Sequence, residues 1–375
     1  MIPVFKPLIE AEEINASKES LEMGWLGMGS YVSQFEEAVA KEIGGDRYVA
    51  AVSTATAGLH LALLLAEVGA GDEVIVASFN CSADFQVVSW VGAELVFCDC
   101  IDDGLGIDLD KAQLLVTEKT KAVIVMDYAC GVMDHEKVRI FAEKNQVRII
   151  HDASHSFGSS YQGKKIGSFS DITVFSFDPV KTVTCLDGGV VVVKSEAELK
   201  RLHELRLLGM QQPSTVMYKN QRAWTFDVAS VGFRYHMLNM HAAIGMAQIN
   251  KLDVIRDTRR LGCLEYSKQL ANFDAVKIPK GDFYGMNPFI YYIRVDSQYR
   301  DNLREYLKEQ GVDTGIHWLP GHTFTLWKQC KAGDLTVTSL LAKELITLPL
   351  HSKMAINDIK FICEKIRAFF GDKND

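Results

Sequence analysis

Val147-Arg148-Ile149-Ile150-His151-Asp152-Ala153-Ser154-His155 and, further on, Ile172-Thr173-Val174-Phe175-Ser176-Phe177-Asp178-Pro179-Val180-Lys181 are the stretches that decide the fold. Each opens on a short, mostly apolar run and then meets charged residues. Such a run reads as a strand covered on both faces. Runs of the same kind occur at Glu73–Ala77, Glu94–Phe97, Ala122–Met126 and Val190–Val193. Helical patterns at Leu59–Val68, Asp84–Trp90 and Glu136–Lys144 lie among them. Strands that alternate with helices predict an α/β domain whose central sheet is mostly parallel. A sheet of that kind presents its ligand site at the carboxyl ends of the strands. Chemistry is therefore expected just after Ile150 and just after Phe177.

Working outward, helices are expected at Glu10–Met23, ending at Gly24, and at Tyr31–Ile43, ending at Gly44-Gly45. From His241 the pattern changes. A long helical stretch, His241–Phe273, leads to a strand at Ile290–Val295 and to helices at Tyr299–Gln310 and Ile356–Phe370. This predicts a large domain over residues 1–250 and a smaller C-terminal α+β domain over residues 251–375. The charged tail Gly371–Asp375 is expected to fray.

Composition narrows the class. The 375 residues are 48% hydrophobic and 23% charged, with 40 Lys+Arg against 48 Asp+Glu for a net charge of −8. A mildly acidic globular chain offers no electrostatic grip on nucleic acid or an anionic membrane. No apolar stretch approaches the ~20 residues that a bilayer-spanning helix needs. Lys6 and Pro7 interrupt any signal-peptide core, so the eight cysteines read as reduced thiols and the protein as cytoplasmic.

Two apparent motifs fail on chemistry. Gly158-Ser-Ser-Tyr-Gln-Gly163-Lys164 has the spacing of a phosphate-binding loop, but Lys165 stands where the Mg²⁺-binding hydroxyl belongs. Cys98-Asp99-Cys100 has no second pair at zinc spacing, so no metal site is expected.

Three elements carry more. Asp152 follows a buried strand, where its charge can serve a ligand; by itself it reads as a turn or cap residue. Lys181 lies just past another strand, where desolvation can lower its pKa and make it a nucleophilic amine; by itself it reads as a snorkelling surface lysine. Ser53-Thr54-Ala55-Thr56-Ala57-Gly58 opens a helix whose first N–H groups can hold a phosphate, or simply caps it. Together, a phosphate cradle, a strand-end carboxylate and a strand-end lysine are the parts that hold pyridoxal phosphate.

With these residues in view, the chain resembles the DegT/DnrJ/EryC1/StrS family of pyridoxal-phosphate sugar aminotransferases, of the fold-type I superfamily. The resemblance runs through Gly24-Trp25-Leu26, Leu59-His60-Leu61-Ala62-Leu63, Gly71-Asp72-Glu73-Val74, Asp127-Tyr128-Ala129 and Asp152-Ala153-Ser154-His155. It continues through Phe175-Ser176-Phe177-Asp178-Pro179-Val180-Lys181, Gly232-Phe233-Arg234-Tyr235 and Gly315-Ile316-His317-Trp318 up to Pro320 and His322.

The resemblance implies roles for individual residues. Lys181 is the lysine that holds the cofactor covalently, and Asp152 is the partner of the pyridine nitrogen. Ser176 is a phosphate ligand with Thr56 and Ala57, and His155 lies beside the ring and its 3-oxygen. Arg234 reaches the phosphate of the partner subunit's cofactor, so the homodimer shares its active sites. Trp25, His317 and His322 line the sugar side.

Three departures stand out. Thr54-Ala55-Thr56 replaces Ser-Gly-Thr. Cys81 takes a position where the family usually has a stacking aromatic. Cys185-Leu186-Asp187-Gly188-Gly189 replaces Thr-Gly-Glu-Gly-Gly. The implied activity is transfer of an amino group from glutamate to a keto group of a nucleotide-linked sugar. A sugar dehydratase of the same family, which would carry His in place of Lys181, and a catalytically idle sugar-sensing member are the alternatives.

Overall fold

The computed structural model describes residues 1–44, 47–211 and 214–371. Gly45, and residues 372–375 of the tail expected to fray, lie outside the described residues. The main sheet has eight strands: β1 (Tyr48–Val52), β2 (Glu73–Ala77), β3 (Glu94–Cys98), β4 (Thr120–Met126), β5 (Arg148–Asp152), β6 (Ile172–Ser176), β7 (Gly189–Val193) and β8 (Lys331–Ala332). Their order is β1-β7-β6-β5-β4-β2-β3-β8. β7 runs antiparallel to both its neighbours, and the other pairs are parallel. This is the mostly parallel α/β sheet that the apolar runs call for.

The runs lack polar alternation because both faces are covered. On one face Val74, Val76, Ile124, Ile150 and Val174 pack with Leu59 and Leu63 of the helix Ala55–Leu65 and with Phe85 and Val88 of the helix Ser82–Trp90. On the other, Ile75, Val123 and Ile149 pack with Val138 and Phe141 of the helix His135–Asn145. Here α1 is Ala11–Met23, α2 Ser30–Ile43, α3 Ala55–Leu65 and α4 Ser82–Trp90. α1 ends on Gly24 in the left-handed conformation, as the sequence predicts.

Some boundaries differ. α3 starts at Ala55 rather than Leu59, because Thr54 caps it by accepting a hydrogen bond from the Ala57 N–H. The stretch from His241 is two helices, Asn239–Ile249 and Leu252–Leu270, broken at Asn250-Lys251. Gly245 and Gly262, which look like interruptions in the sequence, lie inside those helices, where a side chain would meet Phe35 or Leu350. The failed phosphate-loop match is a short hairpin, Ser160–Tyr161 against Lys164–Lys165, with no helix after it.

The C-terminal part pairs Tyr291–Arg294 with Leu345–Leu348 and packs the helices Leu252–Leu270, Ser297–Glu309 and Ile356–Phe369 around them. Its apolar core runs on into Phe79, Tyr128 and Ala129, which lie just beyond the carboxyl ends of β2 and β4. We propose Asn250-Lys251 as the boundary between the two units. Among the described residues, no helix is long and apolar enough to cross a membrane.

Candidate active site

The carboxyl ends of β5 and β6 bring the two principal candidates together. Asp152 is the last residue of β5 and is buried. Its Oδ1 accepts hydrogen bonds from the Ser154 N–H, at 3.0 Å, and from the Ser154 hydroxyl. No hydrogen bond among the described residues uses Oδ2. Burial pushes the Asp152 carboxyl up, and Ser154 and the neighbouring Lys181 pull it back.

Lys181 follows β6 by a short turn in which its N–H bonds to the Asp178 carbonyl. Its stem is half-buried and its Nζ lies 4.2 Å from the centroid of the Phe289 ring. Burial pulls the amine below its ordinary pKa, against the attraction of Asp152, Cys81 and Asp178. A lysine held this way is a better nucleophile at neutral pH than a surface lysine.

His155 stands on an aromatic wall, with ring centroids 4.4 Å from Phe289 and 6.1 Å from both Tyr128 and Trp318. Its Nδ1 accepts a hydrogen bond from the Ala129 N–H at 3.2 Å, which leaves the proton on Nε2. That Nε2 is buried without a partner, and burial holds the ring neutral. An unused buried donor at this place fits a bound oxygen.

The phosphate cradle is assembled across β7. Ser176 at the end of β6 pairs with Gly189 at the start of β7. A Cβ on Gly189 would lie 2.7 Å from the Ala55 nitrogen and from the Thr54 carbonyl, so the missing side chain lets β7 touch the start of α3. Ser176, which is buried, is thereby brought to the helix N-terminus that carries Thr56 and Ala57. The Thr54 hydroxyl occupies the Ala57 N–H at 2.9 Å. No hydrogen bond among the described residues uses the N–H groups of Ala55 and Thr56. Those two donors and the helix dipole suit a phosphate. The lysine, the carboxylate with its free oxygen, the unpartnered imidazole and the open helix end together fit pyridoxal phosphate.

Cys81, the cap of α4, joins this group through its electrostatic coupling to Asp152 and Lys181; burial pushes its thiol up to about 11. His317 comes in from the C-terminal part, close enough for the Lys181 charge to act on it, with its Nδ1 3.0 Å from the Thr347 hydroxyl. The other candidates stand elsewhere in the chain. His322 bonds the Ser78 hydroxyl at 2.8 Å, beyond the end of β2. Trp25 and Arg234 line a separate groove of about 550 Å³ with Arg222, Trp224 and Phe226, which contains neither Lys181 nor Asp152.

Two contributors escape a sequence reading. Phe289 arrives from the C-terminal part, and nothing in its local sequence marks it. Asp84, on α4, is fully buried, bonded to Asn80 through Oδ2 at 2.5 Å and left unpaired at Oδ1. Burial, then repulsion from Asp152, pushes its carboxyl well above the ordinary range. A buried carboxylate inside a helical pattern has no distinguishing spacing.

The model of the DegT/DnrJ/EryC1/StrS aminotransferase family matches residues 7–367. Solved structures agree with it. The aminotransferase TlmJ from Streptoalloteichus hindustanus is 28% identical with a TM-score of 0.92, covering 99% of both chains. Spr1654 from Streptococcus pneumoniae, described as a sugar aminotransferase, is 26% identical in its PMP form, with a TM-score of 0.92 over 98% of both chains. It has also been solved in a PLP form. DesI, in a structure solved in the presence of its TDP-sugar product, is 26% identical with a TM-score of 0.87, covering 99% of this chain and 93% of its own.

Proposed function

The chain belongs to the DegT/DnrJ/EryC1/StrS aminotransferase family, which works with pyridoxal phosphate, and from that premise we propose that it transfers an amino group from glutamate to a keto group of a nucleotide-linked sugar. The observation that carries this reading is the pairing of a desolvated Lys181 amine with a buried Asp152 whose Oδ2 is unshared. DesI, solved with a TDP-sugar product, supports the nucleotide-linked substrate.

Pyridoxal phosphate, when bound, supplies a pyridinium ring that accepts the electron pair released at the amino-acid Cα. Lys181 is the amine that would hold it covalently, and its Nζ, when free, would move the Cα proton. Asp152 keeps the ring nitrogen protonated. Ser176 and the free N–H groups of Ala55 and Thr56 would hold the phosphate, the Ala57 N–H being taken by Thr54, and His155 would donate from Nε2 beside the ring. Cys81 lies against the same group, and Phe79, buried and packed on Tyr128, supplies an aromatic to that wall. His317 and His322 line the sugar side, and Trp25, in the groove it shares with Arg234, would reach it in the partner subunit's site. Arg234 serves the partner subunit's cofactor in a cytoplasmic homodimer.

The dehydratase reading is disfavoured by Lys181, and the idle-member reading by the intact Lys181–Asp152 pair. Purified protein should absorb in the visible, and a panel of keto-sugar nucleotides with glutamate should yield a product that mass spectrometry identifies as the amino sugar. Lys181→Ala should lose both the absorbance and the product. A wild-type protein that is colourless after loading with pyridoxal phosphate, or a Lys181→Ala variant with full turnover, would overturn the proposal.

A further inference from the structure

On the sheet face opposite α3, three side chains that this reading does not use meet in the interior. Asp127 follows β4, His151 is the penultimate residue of β5, and His135 opens the helix His135–Asn145. They are 0%, 0% and 3% exposed. One ligand atom from each lies within 4.8 Å of the other two. His151 Nε2 is 2.9 Å from Asp127 Oδ2, and His135 Nε2 is 3.8 Å from Asp127 Oδ1. Asp127 also accepts hydrogen bonds from the Met133 N–H at 2.8 Å and from the Ser156 hydroxyl at 2.7 Å.

The unusual member is His135. Neither of its ring nitrogens has a hydrogen-bond partner, although both are buried. Its Nε2 reaches toward Asp127 yet stops beyond hydrogen-bonding distance. Buried imidazoles are ordinarily satisfied. A gap between an unpartnered nitrogen and a carboxylate oxygen is larger than a proton bridges, and an ion fits it better.

We propose that Asp127, His135 and His151 form a buried site for a divalent ion of the zinc type. Two imidazole nitrogens and one carboxylate oxygen are a zinc donor set, whereas Ca²⁺ and Mg²⁺ favour six or more oxygens. Zinc bonds of ~2.0–2.2 Å hold tetrahedral ligand atoms roughly 3.3–3.5 Å apart, so His135 would move inward and the close His151–Asp127 pair would open slightly. The Ser156 hydroxyl or a water completes the shell. The ion takes the place of the proton that His151 Nε2 shares with Asp127; in the neutral ring that proton moves to Nδ1, which is buried without a partner.

The site lies close to the surface: His135 and Phe169 together border two hollows of about 190 and 600 Å³, and the Phe169 ring, stacked on His135 at 4.5 Å, would have to move to admit the ion. The site would tie β4, β5 and the helix that follows β4 into one unit, and it does not depend on the aminotransferase reading.

The test uses the tag-free holoenzyme, stripped with chelator and dialysed against Co²⁺ or Zn²⁺. About one equivalent per chain is expected, with Co²⁺ d–d bands to the red of the cofactor absorption. X-ray absorption of the zinc form should show a nitrogen and oxygen shell with scattering from two imidazoles and no sulfur. His135→Gln and His151→Gln should each weaken binding at least tenfold, while His60→Gln, at a buried site elsewhere, should not. Wild-type protein that retains less than a tenth of an equivalent, a shell containing sulfur, or full binding by a folded His135→Gln variant would overturn the proposal. The first two readouts need no variant and stand even if the substitutions prevent folding.

Discussion

The Lys181 ammonium lies 4.2 Å from the centre of the Phe289 ring, so a residue of the C-terminal part faces the lysine that follows β6. The ring's negative face favours the charged amine, while burial disfavours it and prevails. In apo protein labelled by reductive ¹³C-methylation, the Lys181 resonance should titrate below the surface lysines. In Phe289→Leu it should titrate lower still, because the attraction is gone and the burial remains. A Lys181 resonance that titrates with the bulk lysines would contradict this account.

Leu186 sits in the left-handed region at φ 68°, in the segment where the family pattern has glycine. Side chains with a Cβ pay roughly 1–2 kcal/mol for that conformation. Leu186 is also exposed, so its removal loses little burial. Leu186→Gly should therefore raise stability by about 1 kcal/mol, less the entropy that glycine adds to the unfolded chain. Urea melts of the two proteins under identical cofactor loading check it, and a destabilised variant would show that the leucine makes contacts that outweigh its strain.

Acid should weaken the fold through its buried imidazoles. Burial lowers His236, His317 and His351 to about 4 and His203 to about 3. In the unfolded chain they titrate near ~6.5. Between these values the unfolded state binds more protons, so stability is fully present above pH ~6.5 and falls as the pH drops toward 4. Each imidazole adds a slope of up to ~1.4 kcal/mol per pH unit. Denaturant midpoints at pH 7, 6 and 5 should decline in that order, and His351→Phe should flatten the decline. A flat profile would mean that these rings reach solvent.

A shared active site predicts complementation. Lys181→Ala and Arg234→Ala subunits should each be nearly inactive alone. In a mixed dimer one composite site carries both lesions and the other carries none. Random exchange makes half the dimers hybrids, so activity should return to roughly a quarter of wild type. If native mass spectrometry shows the hybrids and no activity returns, both residues act within one chain.

The parallel sheet was legible because buried strands must be apolar on both faces, and Ile149-Ile150 and Ile172–Phe177 show it in one dimension. Asp152 and Lys181 were legible for a related reason: a charged residue ending such a run has to sit at the rim, where a ligand can use it. Helix ends were less so, because α3 begins where Thr54 finds the Ala57 N–H and the hydrophobic run starts later.

What the tertiary structure alone decided is which distant residues meet. Ser176 reaches the start of α3 only because Gly189 has no side chain to hold β7 away. Phe289 and His317 enter from beyond residue 250, and Asp127, His135 and His151 converge from two strands and a helix. Local sequence encodes burial and periodicity, which are properties of one segment. Convergence depends on strand order and on the close packing of faces, which no single segment contains.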